Sequence, residues 1–268
     1  MDMLNLLPVN TNVLQRKIRV GAVNYLNTKP LIYGFEQGFM KEEIQLITDY
    51  PSKIADMLLL DEIDIGLVPV SIITELKEHH IISDYCIGCD GEVASVCLFS
   101  EVPMGKIESI LLDYQSMTSV ELIKILINQY WKIAPVLIPT SEDYRKNIKG
   151  TTAGLVIGDR ALEQRKISKY IYDLGLEWKK FTGLPFVFAA WISNKKIDNS
   201  FIEKFNKANN IGLQNIETVI SENPYQAFDL KEYYTNYINY MLDHKAKKGL
   251  KLFIKFLKEE KEQSEPFK

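Results

Sequence analysis

The sequence predicts an α/β chain folded as two lobes, with mixed, mainly parallel sheets facing each other across an interlobe cleft. Three observations carry this expectation. Short β-branched runs alternate with segments of helical periodicity, an order that favours parallel strands covered by helices. A unit of strand, polar loop and helix start occurs twice in each half of the 268-residue chain. Two long apolar strands, at 92–100 and 183–192, stand where the chain would cross between lobes and return.

Taken in order, Ile18–Val23 reads as the first strand and 24–28 as a polar loop. A helix follows, with Asn27 or Thr28 as its cap and Pro30 in its first turn. Residues 53–60 read as a helix and 63–69 as a buried strand. Val70 and Ser71 then lead into an apolar-periodic helix over 72–77. In the second half, 109–113 is a strand, 114–119 a polar loop and 120–130 a helix, with Leu122, Ile123, Leu126 and Ile127 at helical spacing. Residues 153–159 read as strand and turn, and a further helix begins at 160–163. The chain beyond about Asn199 reads as helical and completes the first lobe. That lobe is therefore discontinuous, comprising 17–97 and 192–268, and the second lobe is 98–191.

Composition narrows the class. The chain is 46% hydrophobic and 25% charged, as ordinary soluble domains are. A net charge of −3 supplies no basic field for nucleic acid. No apolar run approaches the roughly 18–20 residues of a membrane span. At the N-terminus, Asp2 stands where a secretory signal carries positive charge, and Asn5 and Pro8 break the apolar stretch, so a cytoplasmic location is expected. Cys86, Cys89 and Cys97 are too few and odd in number for a disulfide framework. Cys86 and Cys89 have C-x-x-C spacing, but a redox pair should open a helix and a strand-like segment follows. Buried or loop thiols are the plainer reading, with redox or metal chemistry the alternative. His79 and His80 do not complete a convincing zinc set, and no metal is expected.

Ligands of open α/β sheets bind beyond the carboxyl ends of the strands. The loops expected there carry Asn27, Thr28, Ser71, Ser116, Thr118, Ser119 and Asp159, and the crossover carries Ser95. Hydroxyls and amides at helix starts suit a small anion, although each residue alone reads better as an N-cap. No nucleotide cradle or nucleophile elbow is present, and no histidine sits in these loops. Catalysis here would therefore depend on hydrogen bonds and positioning. Phe181, Phe186, Phe188 and Trp191 surround the return strand, where they would wall a ring-shaped ligand or fill core. Tyr233, Tyr237 and Tyr240 recur at helical spacing and read as packing. Residues 245–262 place Leu250, Phe253, Ile254 and Leu257 on one helical face and Lys251, Lys255 and Lys258 elsewhere. Docking onto the chain's own lobe is the simpler reading, and a membrane or partner surface the alternative.

The stretch Arg19-Val20-Gly21-Ala22-Val23-Asn24-Tyr25-Leu26-Asn27-Thr28-Lys29-Pro30-Leu31 resembles the opening motif of the chorismate dehydratases of menaquinone biosynthesis by the futalosine route. Gly88-Cys89-Asp90-Gly91 and Val93-Ala94-Ser95-Val96 are similar to their crossover, and Ile157-Gly158-Asp159 and the segment 178–189 to two further family segments. The resemblance runs from about Lys17 to Lys258. It implies a two-lobed fold like the type II periplasmic binding proteins. It implies a carbon–oxygen lyase that takes water from chorismate to give 3-(1-carboxyvinyloxy)benzoate, with no metal or organic cofactor. By position, Asn27 and Ser95 correspond to the family's important asparagine and serine, and are the expected catalytic residues. Thr28, Ser71, Ser116, Thr118, Ser119, Asp159 and Phe186 are the expected substrate-binding residues. Two other readings share the fold: the sister enzyme that makes 1,4-dihydroxy-6-naphthoate, whose family uses a histidine, and a non-catalytic solute-binding protein for a small carboxylate.

Overall fold

A computed structural model describes residues 16–264. The N-terminal stretch discussed above lies outside them, apart from Arg16 and Lys17. Among the described residues, eleven strands form two sheets. They are β1 (Ile18–Val23), β2 (Ile44–Asp49), β3 (Ile65–Pro69), β4 (His80–Cys89), β5 (Val96–Ser100), β6 (Ser109–Leu112), β7 (Val136–Pro139), β8 (Thr152–Ile157), β9 (Tyr170–Asp173), β10 (Phe186–Ser193) and β11 (Asn239–Met241). The helices are α1 (Lys29–Glu36), α2 (Pro51–Leu59), α3 (Thr118–Ile125), α4 (Asp159–Gln164), α5 (Leu174–Thr182), α6 (Asn199–Gln214), α7 (Ile216–Glu222), α8 (Leu230–Glu232) and α9 (His244–Ser264).

The first sheet has the order β11-β4-β10-β3-β1-β2 and the second β7-β6-β8-β5-β9. Both are mixed. In the first, β1, β2, β3 and β4 share one direction while β10 and β11 oppose it. In the second, β6, β7, β8 and β9 share a direction and β5 opposes them. The opposed strands β5 and β10 are the two long apolar segments of the sequence. The expected return boundary at Trp191/Ile192 falls inside β10, which pairs within the first sheet from Phe186 onward.

Residue chemistry accounts for the packing. Strands β3, β5 and β10 are buried along their whole length, as strands covered on both faces must be. On one side of the first sheet, Trp191 packs edge-on against Phe205 at 4.9 Å and Phe35 at 6.2 Å, joining α6 and α1. These helices approach so closely that a methyl on Gly212 would run into the carbonyl of Pro30. Elsewhere, Phe186, Trp178 and Phe253 form an edge-to-face cluster with centroids 5.0–6.2 Å apart. Burial of Leu250, Phe253 and Leu257 docks α9 onto the chain's own core, leaving Lys251, Lys255 and Lys258 exposed.

Several local expectations change. The helix expected at 72–77 is a 3-10 turn, Val70–Thr74. Val70, Ser71, Ile72 and Ile73 are all buried, so no polar face exists, and β4 begins six residues after Thr74. The helix expected at 120–130 starts two residues earlier and widens to a π-helix over Leu126–Trp131, where Lys132 in the left-handed region ends it. Neither Asn27 nor Thr28 caps α1 through its side chain. Tyr233–Tyr237 is a short π-helical turn, and Tyr240 lies on β11. Cys86 and Cys89 sit inside β4, fully buried, and burial pushes both thiols up, away from the reactive thiolate. Among the described residues, no helix is long and apolar enough to cross a membrane.

Candidate active site

The loops after β1, β3, β6 and β8 converge with the crossover before β5 around a cavity of about 60 Å³. Its wall includes Tyr25 and Asn27 from the first loop, Ser95 from the crossover, Ser116, Thr118 and Ser119 from the loop after β6, and Gly158 after β8. Val23, Pro69, Ile87, Val93, Ile157 and Phe188 supply apolar surface. Among the described residues, no Asp, Glu, Lys, Arg or His stands on this wall.

Each polar group is held by its local fold. Asn27 lies in a 3-10 turn, Leu26–Thr28, at the end of β1. Its backbone carbonyl accepts from the Tyr240 hydroxyl at 2.9 Å, and its side-chain oxygen accepts from Thr28 Oγ1 at 3.3 Å. The amide nitrogen is thereby left to donate. Ser95 is fully buried. It follows Ala94, whose φ of 61° places it in the left-handed region, a cost met only where the surroundings impose it. Here the imposing group is Asp173. Its carboxylate accepts from Val93 N at 3.0 Å and Ala94 N at 2.8 Å while also capping α5 through Gly175 N and Leu176 N. One side chain therefore sets both a helix start and the crossover. Burial raises the Asp173 carboxyl above its usual range, against the pull of these backbone donors.

The α3 end of the cavity suits a carboxylate. The N-cap residue, Met117, makes no side-chain cap, and the hydroxyls of Ser116, Thr118 and Ser119 cluster there. Ser116 Oγ takes up one first-turn donor, Ser119 N, at 3.1 Å. The remaining first-turn N–H groups and the positive end of the helix dipole favour an anion at this point.

Bonds across the cleft close the arrangement. Ser71 N donates to Thr118 Oγ1 at 3.2 Å, Leu26 N to Asp159 Oδ1 at 3.2 Å, and Tyr225 OH to the Asp159 carbonyl at 3.0 Å. Tyr25 OH donates to Gln115 Oε1 at 2.5 Å, and Arg160 bonds that same oxygen at 2.9 Å while pairing with Asp113 at 2.8 Å. Gly158 has a φ of 65°, and a methyl there would stand 2.9 Å from the Tyr25 ring.

Of the residues singled out from sequence, Asn27, Ser95, Ser116, Thr118 and Ser119 are brought together on one wall. Thr28 and Ser71 lie behind it, each bonded to a wall residue. Asp159 spans the cleft through its bond to Leu26, outside the lining. Phe186 is 1% exposed and packs in the core, 4.6 Å from the Phe188 ring that does line the cavity. Tyr25, Gln115, Asp173, Tyr233 and Tyr240 were not singled out as site residues. Tyr25 and Gln115 carry a local signal, since they lie in the polar loops 24–28 and 114–119. Asp173, Tyr233 and Tyr240 are supplied by distant elements.

The class of fold is that of the periplasmic binding proteins. A crystal structure of an Archaeoglobus fulgidus protein matches with TM-score 0.72 at 14% identity, over 92% of this chain and 98% of that one. The periplasmic aliphatic sulphonate binding protein of Escherichia coli matches with TM-score 0.60 at 12% identity, over 92% and 88%. At the level of sequence, a family described as menaquinone biosynthesis matches residues 18–259, and the chain belongs to that family. It is 25% identical to a chorismate dehydratase of Thermus thermophilus, over 89% of this chain and 94% of the relative. It is 27% identical to a chorismate dehydratase of Campylobacter jejuni, over 89% and 96%.

Proposed function

We propose that this protein dehydrates chorismate to 3-(1-carboxyvinyloxy)benzoate, acting as a carbon–oxygen lyase. The observation that carries the reading is the placement of Asn27 and Ser95 on one cavity wall beside the hydroxyl-rich start of α3. The family and the names of the relatives support it. In this reading the chain works as two lobes, 17–97 with 192–268 against 98–191, in the cytoplasm.

The chemistry follows from what the wall offers. The α3 start, with Ser116, Thr118 and Ser119, holds one substrate carboxylate, and Phe188 and the aliphatic residues face the ring. The ring proton beside the enol ether is removed, and its C–H electron pair becomes part of the ring π system. The ring C–O bond breaks, and the departing hydroxide takes up that proton to leave as water. Since the wall carries no strong base, a substrate carboxylate serves as base. Asn27 and Ser95 hydrogen-bond the departing oxygen and the developing charge. Aromatisation supplies the driving force, so a weakly basic site suffices.

The test is incubation of the purified protein with chorismate, followed by liquid chromatography and mass spectrometry. A product lighter by one water is expected, with turnover falling about 100-fold or more in Asn27→Ala or Ser95→Ala. Unchanged turnover in both variants would remove these residues from the mechanism. Intact chorismate after incubation with folded protein would favour the naphthoate-forming sister reaction or a binding role.

A further inference from the structure

Ser95 has a partner that the proposed reaction leaves unused. Tyr233, which is fully buried, donates from its hydroxyl to Ser95 Oγ at 2.7 Å, across 138 residues of chain. The phenol is delivered by the π-helical turn Tyr233–Tyr237, directly after α8. Asp229 caps α8 by accepting from Lys231 N and Glu232 N, fixing where the turn begins. Phe228 edge-on at 6.0 Å and Tyr234 at 5.7 Å hold the ring.

A serine hydroxyl has one proton and two lone pairs. The other protein acceptor near Ser95 Oγ is the Val93 carbonyl at 3.5 Å, the outer limit of a hydrogen bond. If the phenol donates to Ser95, the serine's lone pair is occupied and its own proton is free to face the cavity. We propose that Tyr233 is a positioning residue, which orients the Ser95 hydroxyl so that its proton points at the departing oxygen of the substrate. This rests on the dehydratase reading given above.

Burial pushes the Tyr233 hydroxyl far above the usual tyrosine range, so it remains a neutral donor at any working pH. Tyr233 and Ser95 thus form one polarised pair, in which the bond from the phenol strengthens the serine proton as a donor. Tyr233 itself does not stand on the cavity wall, so its effect passes through Ser95.

Tyr233→Phe deletes only the hydroxyl. The variant should lose about tenfold in kcat with KM changed less than about twofold, since a bond worth roughly 1.4 kcal/mol is lost without altering the binding surface. In a Ser95→Ala background, Tyr233→Phe should cost nothing further, within about twofold, because the residue it acts through is gone. Tyr234→Phe is the control: that neighbouring hydroxyl is buried without a hydrogen-bond partner, and its removal should leave kcat within about twofold. Additive losses in the double variant, or an unchanged kcat in Tyr233→Phe, would overturn the proposal. A second readout is independent of turnover. In protein labelled with 13Cζ-tyrosine, the Tyr233 resonance, assigned by its loss in Tyr233→Phe, should move in Ser95→Ala. A stationary resonance would overturn the hydrogen bond itself. A moving resonance in a protein that leaves chorismate intact would keep the bond and overturn the reaction.

Discussion

At the scale of single residues, the site is built from groups whose ordinary chemistry is altered by what encloses them. Asp159 is the clearest case. Burial raises its carboxyl to about 6, with the Leu26 backbone donor acting in the opposite direction. In the unfolded chain an aspartate titrates near 3.9. Between those values the folded state holds a proton that the unfolded state has released, so stability falls as pH rises through this window and the full cost is present above about 6. Asp159→Asn keeps an acceptor for Leu26 and removes the charge. It should therefore stabilise the protein at pH 7.5 by about 2 kcal/mol and have little effect near pH 3.5. Urea midpoints at the two pH values would show this; an equal shift at both would mean that the carboxylate carries no such penalty.

Asp173 acts between residue and element, and the crossover depends on it. The peptide from Val93 to Ser95 lies in neither helix nor strand, so the Val93 and Ala94 N–H groups turn to one buried carboxylate. Asp173→Ala leaves those donors unpaired and uncaps α5, and should cost about 3 kcal/mol in stability. Asp173→Asn offers one acceptor oxygen for the four donors and should lose less. Because Ser95 is carried by this segment, both should reduce turnover in the same order as stability. A destabilised Asp173→Ala with full turnover at a temperature where it remains folded would separate the crossover from Ser95. Among the elements, α9 shows why the basic amphipathic pattern is satisfied internally: Phe253 fills the space beside Trp178 and Phe186. Phe253→Ala should cost about 3–5 kcal/mol through the cavity it leaves, measured by chemical denaturation. A loss below about 1 kcal/mol would mean that the helix is docked by other contacts.

For the molecule as a whole, the decisive quantity is the size of the cleft. A cavity of about 60 Å³ is well below the roughly 300 Å³ at which ligand pockets begin, and a six-membered ring bearing two carboxylates does not fit it. Binding of the proposed substrate therefore requires a more open arrangement, as hinged two-lobed folds allow. The bonds that would part include Ser71 to Thr118, Leu26 to Asp159, Tyr225 to Asp159 and Tyr25 to Gln115. The Ser71 and Leu26 amides should therefore exchange with solvent faster than amides inside β1 and β8, and slow about tenfold or more when ligand is bound. Exchange as slow as in the strands would mean that the cleft opens only with global unfolding.

What the sequence determined by itself is the local grammar. Alternating runs place β1, β3, β6 and β8, because hydrophobic period and β-branching are properties of neighbouring residues. Their carboxyl-end loops group Asn27 with Ser71 in the first sheet and Ser116, Thr118 and Ser119 with Asp159 in the second, because parallel strands of one sheet present those ends together. The crossover motif marks Ser95. Tertiary structure alone decided the rest. The 3-10 turn at Val70–Thr74 depends on burial from all sides, which no periodicity records. Phe186 and Phe188 stand two residues apart on one strand, yet one is core and the other lines the cavity, because α5 and α9 cover the first. Tyr233, at a helical spacing from Tyr237 and Tyr240, carries no mark that separates packing from function. Its meaning comes from a hydroxyl brought within 2.7 Å of Ser95, a contact between segments far apart in the chain and therefore invisible to any local reading.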